Sequence, residues 1–115
     1  LLVPRVRRYL DRELNLRDTQ QAAWRRHWTV ETLAALEGHL AGNKDAGRFC
    51  HGDTPTLADI CMAGHVTVAI TQQIDLARWP TVKRTFEAAM ALPAFAKAHP
   101  LAQPDTPEAM RPKVG

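Results

Sequence analysis

The sequence predicts an all-α fold, a bundle of about five helices around one central buried helix. Three observations lead there. Apolar residues recur every three to four positions along most of the 115 residues, and no segment alternates as a half-buried strand does. The third is the fourteen-residue run LADICMAGHVTVAI, which carries a single charge. A helix that is apolar on every side is expected to be surrounded by others.

The first helix is expected over residues 4–14. Val6, Leu10 and Leu14 lie four apart and make one stripe, Pro4 suits the first turn, and Asn15 suits the end. A second helix begins at Asp18, which with Gln21 three residues later has the form of a capping box. Trp24, Trp28, Val30, Leu33, Leu36 and Leu40 then hold helical spacing as far as Gly42. Trp24 and Trp28, one turn apart, are expected to pack in the core.

Residues 42–55 carry Gly42, Gly47, Gly52 and Pro55 and are expected to form a loop. In GDTPTLADIC, Thr56 and Asp59 occupy the N-cap and N3 positions of a capping box. The Thr56 hydroxyl would accept the N–H of Asp59, and the Asp59 carboxylate would reach back to the N–H of Thr56. Pro55 and Ile60 stand at the positions of a hydrophobic staple. A helix start that is buried cannot rely on water for its first N–H groups, so this cap serves the central helix, which runs to about Thr71. Trp79-Pro80 opens the next helix, with Val82, Phe86 and Met90 four apart. Leu92-Pro93 ends it, and AFAKAH adds a short further turn. Pro100, Pro104, Pro107 and Pro112 predict an extended surface tail over 100–115.

By length the chain is one domain, spanning 1–115, and its first residue, Leu1, reads as the start of a piece of something longer. Apolar residues are 45% and charged residues 23%, ordinary usage for a protein in water. No apolar run nears the roughly 18 residues of a membrane span, so no membrane partner and a cytoplasmic location are expected. Cys50 and Cys61 are too few for a disulfide framework and read as reduced thiols. Seven arginines crowd residues 1–26 and give that segment +4, against −1 for the remainder. The run lacks the interleaved aromatics that stack on bases, so it reads as a solvated helix face and not as a nucleic-acid surface.

Catalytic constellations are missing. The chain has no serine, no CxxC, no HExxH and no glycine-rich phosphate loop. Cys61 and His65 sit four apart on one helix, half of a metal site at most, and read as packing. Adjacent Cys50 and His51 offer a pairing that activates a thiolate when the geometry is right, but sequence adjacency rarely supplies that geometry. No catalytic residue and no metal site are assigned.

GRFCHGDTPTLADIC resembles the capping box and staple of the C-terminal helical domain of glutathione S-transferases. IDLARWPTVKR and LPAFAKAHPLAQPDTPE resemble the zeta class, which includes maleylacetoacetate isomerase, and RVRRYLDREL resembles the first helix of that domain. The likeness covers about residues 1–108. It implies an N-terminal thioredoxin-like domain, absent from this chain, that holds glutathione as co-substrate and carries the catalytic Ser or Cys. This chain would then wall the pocket of a small electrophile and form part of a homodimer, and would be inactive alone. Leu2 stands where many zeta proteins carry a Gln near glutathione, and Thr71 where they carry an Arg for the substrate carboxylate. Leu1, Leu2, Arg5 and Thr71 are therefore the candidate substrate-binding residues. Arg5 could supply the charge that is lost, but Leu1, Leu2 and Thr71 together suggest a more apolar wall and a less charged electrophile than maleylacetoacetate. Two other readings are a non-catalytic interaction module with the same fold and a basic helical nucleic-acid binder.

Overall fold

The computed structural model describes residues 3–108, so Leu1, Leu2 and the last part of the tail lie outside the described residues. Five α-helices follow in order: α1 (Pro4–Leu14), α2 (Asp18–Gly42), α3 (Leu57–Thr71), α4 (Pro80–Met90) and α5 (Pro93–Ala98). Short 3-10 turns occupy Leu76–Arg78 and Pro100–Ala102. Among the described residues no strand forms, and an isolated bridge joins Ala46 to Gly52.

α1 ends where Asn15 turns left-handed at φ 50°, and its N–H returns to the Leu10 carbonyl. Leu10 is buried, whereas Leu14 is 54% exposed, so only the middle of the expected stripe is covered. The start of α2 differs from the expected Asp18–Gln21 box by one residue. Arg17 is the N-cap, and its N–H donates to Gln20 Oε1 at 2.9 Å. Gln21 is instead buried, and its amide donates to the Leu16 carbonyl at 2.8 Å, tying α2 to the end of α1. Two adjacent glutamines made both registers possible, and burial of Gln21 selects this one.

The core lies where α2, α3 and α4 meet. Leu33 and Leu40 of α2, Met62, Val66 and Ala69 of α3, and Val82 and Phe86 of α4 close around Trp79 and Ile74. Trp79, not the α2 pair, is the buried tryptophan at 4% exposure. Trp28 is 41% exposed and Trp24 half-buried, which overturns their expected place in the core. The physical reason is that the inward stripe of α2 runs through Thr29, Leu33 and Leu40, and Trp28 falls outside it. α3 is the central helix, but it is not covered on every side. Leu57 is 73% exposed, Ile60 60% and Ile70 41%.

Two carboxylates from distant positions hold helix starts. Glu37 of α2 accepts the N–H groups of Thr81 at 3.0 Å and Val82 at 2.8 Å, capping α4, whose own N-cap residue, Trp79, has no acceptor to offer. Asp59 accepts Thr56 N–H at 2.7 Å and the Thr56 hydroxyl at 3.0 Å on Oδ2, and Cys50 N–H at 2.8 Å on Oδ1. The second oxygen thus anchors the preceding loop, an arm that local reading of the box does not contain. The loop is folded tightly on itself: a Cβ on Gly47 would stand 2.6 Å from the Gly52 carbonyl oxygen. Gly52, at φ 67°, takes the left-handed turn that returns the chain. After α5 the tail is not simply extended. It opens with the 3-10 turn, and buried Thr106 donates from its hydroxyl to the Pro100 carbonyl at 2.7 Å.

Burial by itself would raise the pKa of Asp59, but the hydrogen bonds from Cys50 and Thr56 outweigh it and hold the group below its ordinary 3.8. Glu37 is likewise held below 4.5, burial opposing and the Val82 and Thr81 donors prevailing. Depressed carboxylates contribute stability that is complete above their ordinary range and is lost as pH falls through the lowered values. Asp59→Ala should therefore lower the unfolding free energy at pH 7 by about 2–4 kcal/mol, since three donors lose their acceptor. Urea titration measures this. Asp59→Asn should flatten the acid side of the stability profile, and an unchanged profile would show that the charge contributes nothing.

Candidate functional site

α3 presents its uncovered stripe between two clefts. One, about 320 Å³, lies between α3 and α5 and is lined by Ile60, Gly64, Thr67, Met90, Phe95 and His99. Its walls are apolar apart from Thr67 and His99. The Thr67 hydroxyl donates to the Ala63 carbonyl at 2.8 Å and lies 3.3 Å from His99 Nε2. His99 Nδ1 accepts the N–H of Leu101, which leaves the ring proton on Nε2 to face Thr67 in the neutral ring.

The second cleft, about 450 Å³, separates α2 from α3 and gathers His39, Cys50, His51, Cys61 and His65. Sequence alone could not place these five together. Their chemistry is nevertheless muted. Burial pushes the Cys50 thiol up to about 12, and the Asp59 carboxylate beside it adds to the rise, so the Cys50-His51 neighbourhood does not yield a thiolate. Burial also pushes the His65 pKa below its ordinary 6.5, which favours the neutral ring, while a backbone hydrogen bond with Thr29 opposes the shift. Cys61 is exposed, and both cysteines are free. Among the described residues no three His, Cys, Asp or Glu side chains are grouped so as to hold a metal ion.

The candidate substrate residues are spread out. Arg5 is exposed on α1, and Leu1 and Leu2 lie outside the described residues. Thr71 is the last residue of α3, exposed, with its hydroxyl donated to the Val68 carbonyl at 2.8 Å. It lines a groove of about 390 Å³ with Ala22, Ala23, Arg25, Arg26 and Gln72, and Arg5 is not among the lining residues. Arg25, Arg26 and Gln72 escaped the sequence reading because the arginines register there only as charge. Their position beside Thr71 depends on a contact across 46 residues, Arg26 Nη1 to the Gln72 carbonyl at 3.0 Å.

Among the described residues the chain is an all-helical bundle whose capped central helix is flanked by two clefts. The chain belongs to the family described as glutathione S-transferase, C-terminal domain, which matches residues 20–100. Among particular relatives, it is 36% identical over 101 residues to a probable maleylacetoacetate isomerase of Vibrio cholerae, covering 88% of this chain and 46% of that protein. A crystal structure of maleylacetoacetate isomerase from Methylobacterium extorquens AM1, with bound malonate and glutathione, superposes with a TM-score of 0.89. The two share 39% identity over 93% of this chain and 50% of that one. A maleylpyruvate isomerase structure, described as a bacterial glutathione S-transferase of the zeta class, matches with a TM-score of 0.83 at 34% identity. It covers 91% of this chain and 50% of its own. The chain thus spans about half the length of the relatives it matches.

The two thiols should behave differently. In the folded chain a disulfide reagent at pH 8 is expected to modify Cys61 promptly and Cys50 only on the timescale of unfolding. Reaction of both thiols at equal rates, measured by mass spectrometry, would contradict the burial of Cys50.

Proposed function

We propose that this chain is the helical half of a zeta-type glutathione-dependent enzyme that isomerises or conjugates a small electrophile. Membership in the C-terminal domain family carries the reading, together with strong likeness to maleylacetoacetate isomerases of twice this length. In this reading the missing half is a thioredoxin-like domain that holds glutathione and supplies the catalytic Ser or Cys.

The exposed stripe of α3 supports such a partner. Leu57 and Ile60 stand at the start of the helix with 73% and 60% of their surface free. Apolar residues exposed to that degree beside an apolar cleft are a surface made to be covered. The absence of serine and the quiet state of Cys50 are consistent with chemistry performed from the other side of the pocket. Leu1, Leu2, Arg5 and Thr71 are then the proposed electrophile wall, and the working enzyme is a cytoplasmic homodimer. No helix of the described residues is long and apolar enough to cross a membrane.

The 115-residue chain alone is expected neither to bind glutathione at micromolar concentration nor to turn over generic electrophiles. Joined to its thioredoxin-like half it should do both. Calorimetry that finds micromolar glutathione binding by the chain alone would overturn this division of labour.

A further inference from the structure

We propose that the cleft between α2 and α3 binds one copper(I) ion, held between Cys61 Sγ and His65 Nε2. The inference is independent of the proposed glutathione chemistry, and it replaces the expectation that these two residues serve only packing. Its starting point is the state of the His65 ring. A backbone hydrogen bond ties that ring to Thr29. Thr29 lies inside α2, where the N–H groups are used by the helix itself, so its carbonyl accepts and one ring nitrogen donates. The other nitrogen, Nε2, is shut off from solvent and has no hydrogen-bond partner among the described residues. A buried acceptor left unpaired is costly. An imidazole that gives one N–H to a backbone carbonyl and keeps a bare nitrogen opposite has the arrangement of a metal-ligating histidine.

Cys61 supplies the second ligand. It is a free, exposed thiol and lines the same cleft as His65. Residues four apart on a helix share one face with Cβ atoms about 5–6 Å apart, a span that a single ion bridges. Helical side chains lean toward the N-terminus, so the His65 ring lies back over the turn that carries Cys61. The donors decide which metal fits. The cleft adds the thioether of Met62 to this thiol and imidazole, and no carboxylate lines it. Zinc in a structural site takes four ligands, and among the described residues no three His, Cys, Asp or Glu side chains are grouped to begin such a set. Calcium and magnesium require oxygen. Copper(I), a closed-shell soft ion, is satisfied by two nearly opposed ligands, and sulfur donors select it. The apolar walls given by Leu36 and Leu40 keep water from competing in the cleft of about 450 Å³. On binding, the Cys61 S–H bond is replaced by S–Cu, the proton leaves to solvent, and the copper keeps its oxidation state.

The reduced 115-residue chain under argon, titrated with copper(I) as its coloured bicinchoninate complex, provides the test. It should withdraw one equivalent from the chelator. Cys61→Ser and His65→Gln should each weaken retention at least about tenfold, since loss of even an outer partner of a metal ligand costs that much. Retention undiminished in His65→Gln would mean capture by a thiol alone and would overturn the site, as would failure of the wild type to take copper from the chelator. Zinc held as tightly as copper(I) would overturn the assignment to a soft ion. Should His65→Gln fail to fold, nitrogen-15 NMR of the wild type decides the matter. One equivalent of copper(I) should shift the unprotonated ring nitrogen of His65. No shift there, or a shift at His39 or His51 in its place, would overturn the proposal.

Discussion

A single buried carboxylate organises the centre of this domain. Asp59 has no exposed surface, and no lysine or arginine lies within ion-pair distance of it among the described residues. Its charge is met by the N-terminus of α3, by the N–H and hydroxyl of Thr56 and by the N–H of Cys50. One oxygen closes the start of the most apolar helix, and the other fixes the loop that precedes it. That second contact seats Phe49 and Cys50 in the interior, where Phe49 is almost completely buried. The quiet chemistry of Cys50 follows from the same contact, since a thiol packed beside a carboxylate resists ionisation.

Polar contacts over long sequence distances set the remaining geometry. Glu37 caps α4 from α2, and the Thr29–Gln72–Arg26 clamp fastens α2 to the end of α3. Apolar packing between α2, α3 and α4 brings the helices together, but it does not choose their axial register closely. Hydrogen bonds at fixed distances do, because a misplaced register would leave buried donors without acceptors. The groove beside Thr71 exists because this clamp holds its two sides in fixed relation.

In the proposed reading, function is divided along the same lines. The described residues supply walls, clefts and oriented charge, and no three of their His, Cys, Asp or Glu side chains are grouped so as to hold a metal ion. Leu57 and Ile60 leave the central helix uncovered where a second domain is proposed to sit. A helix that reads as buried on every side and yet is exposed along one stripe is the pattern expected of a domain that completes its burial against a neighbour.

Local residues decided how much of this was legible in the sequence. Helix boundaries at Pro4, Asn15, Gly42, Thr56 and Trp79-Pro80 were readable because proline, left-handed turns and caps act within a few residues. The Thr56–Asp59 pair was readable for the same reason, and the helical period identified Val82 and Phe86 as core. What depended on other helices was not. The sequence placed Trp24 and Trp28 inside from their spacing alone, but which face of α2 turns inward is settled by α3 and α4. The acceptor roles of Asp59 toward Cys50 and of Glu37 toward α4 needed the folded chain, as did the meeting of Arg25, Arg26 and Thr71 in one groove. Periodicity and capping are short-range physics and are written in the order of residues. Register, burial of a particular face and the pairing of distant polar groups arise only when the helices pack, and the tertiary structure alone decides them.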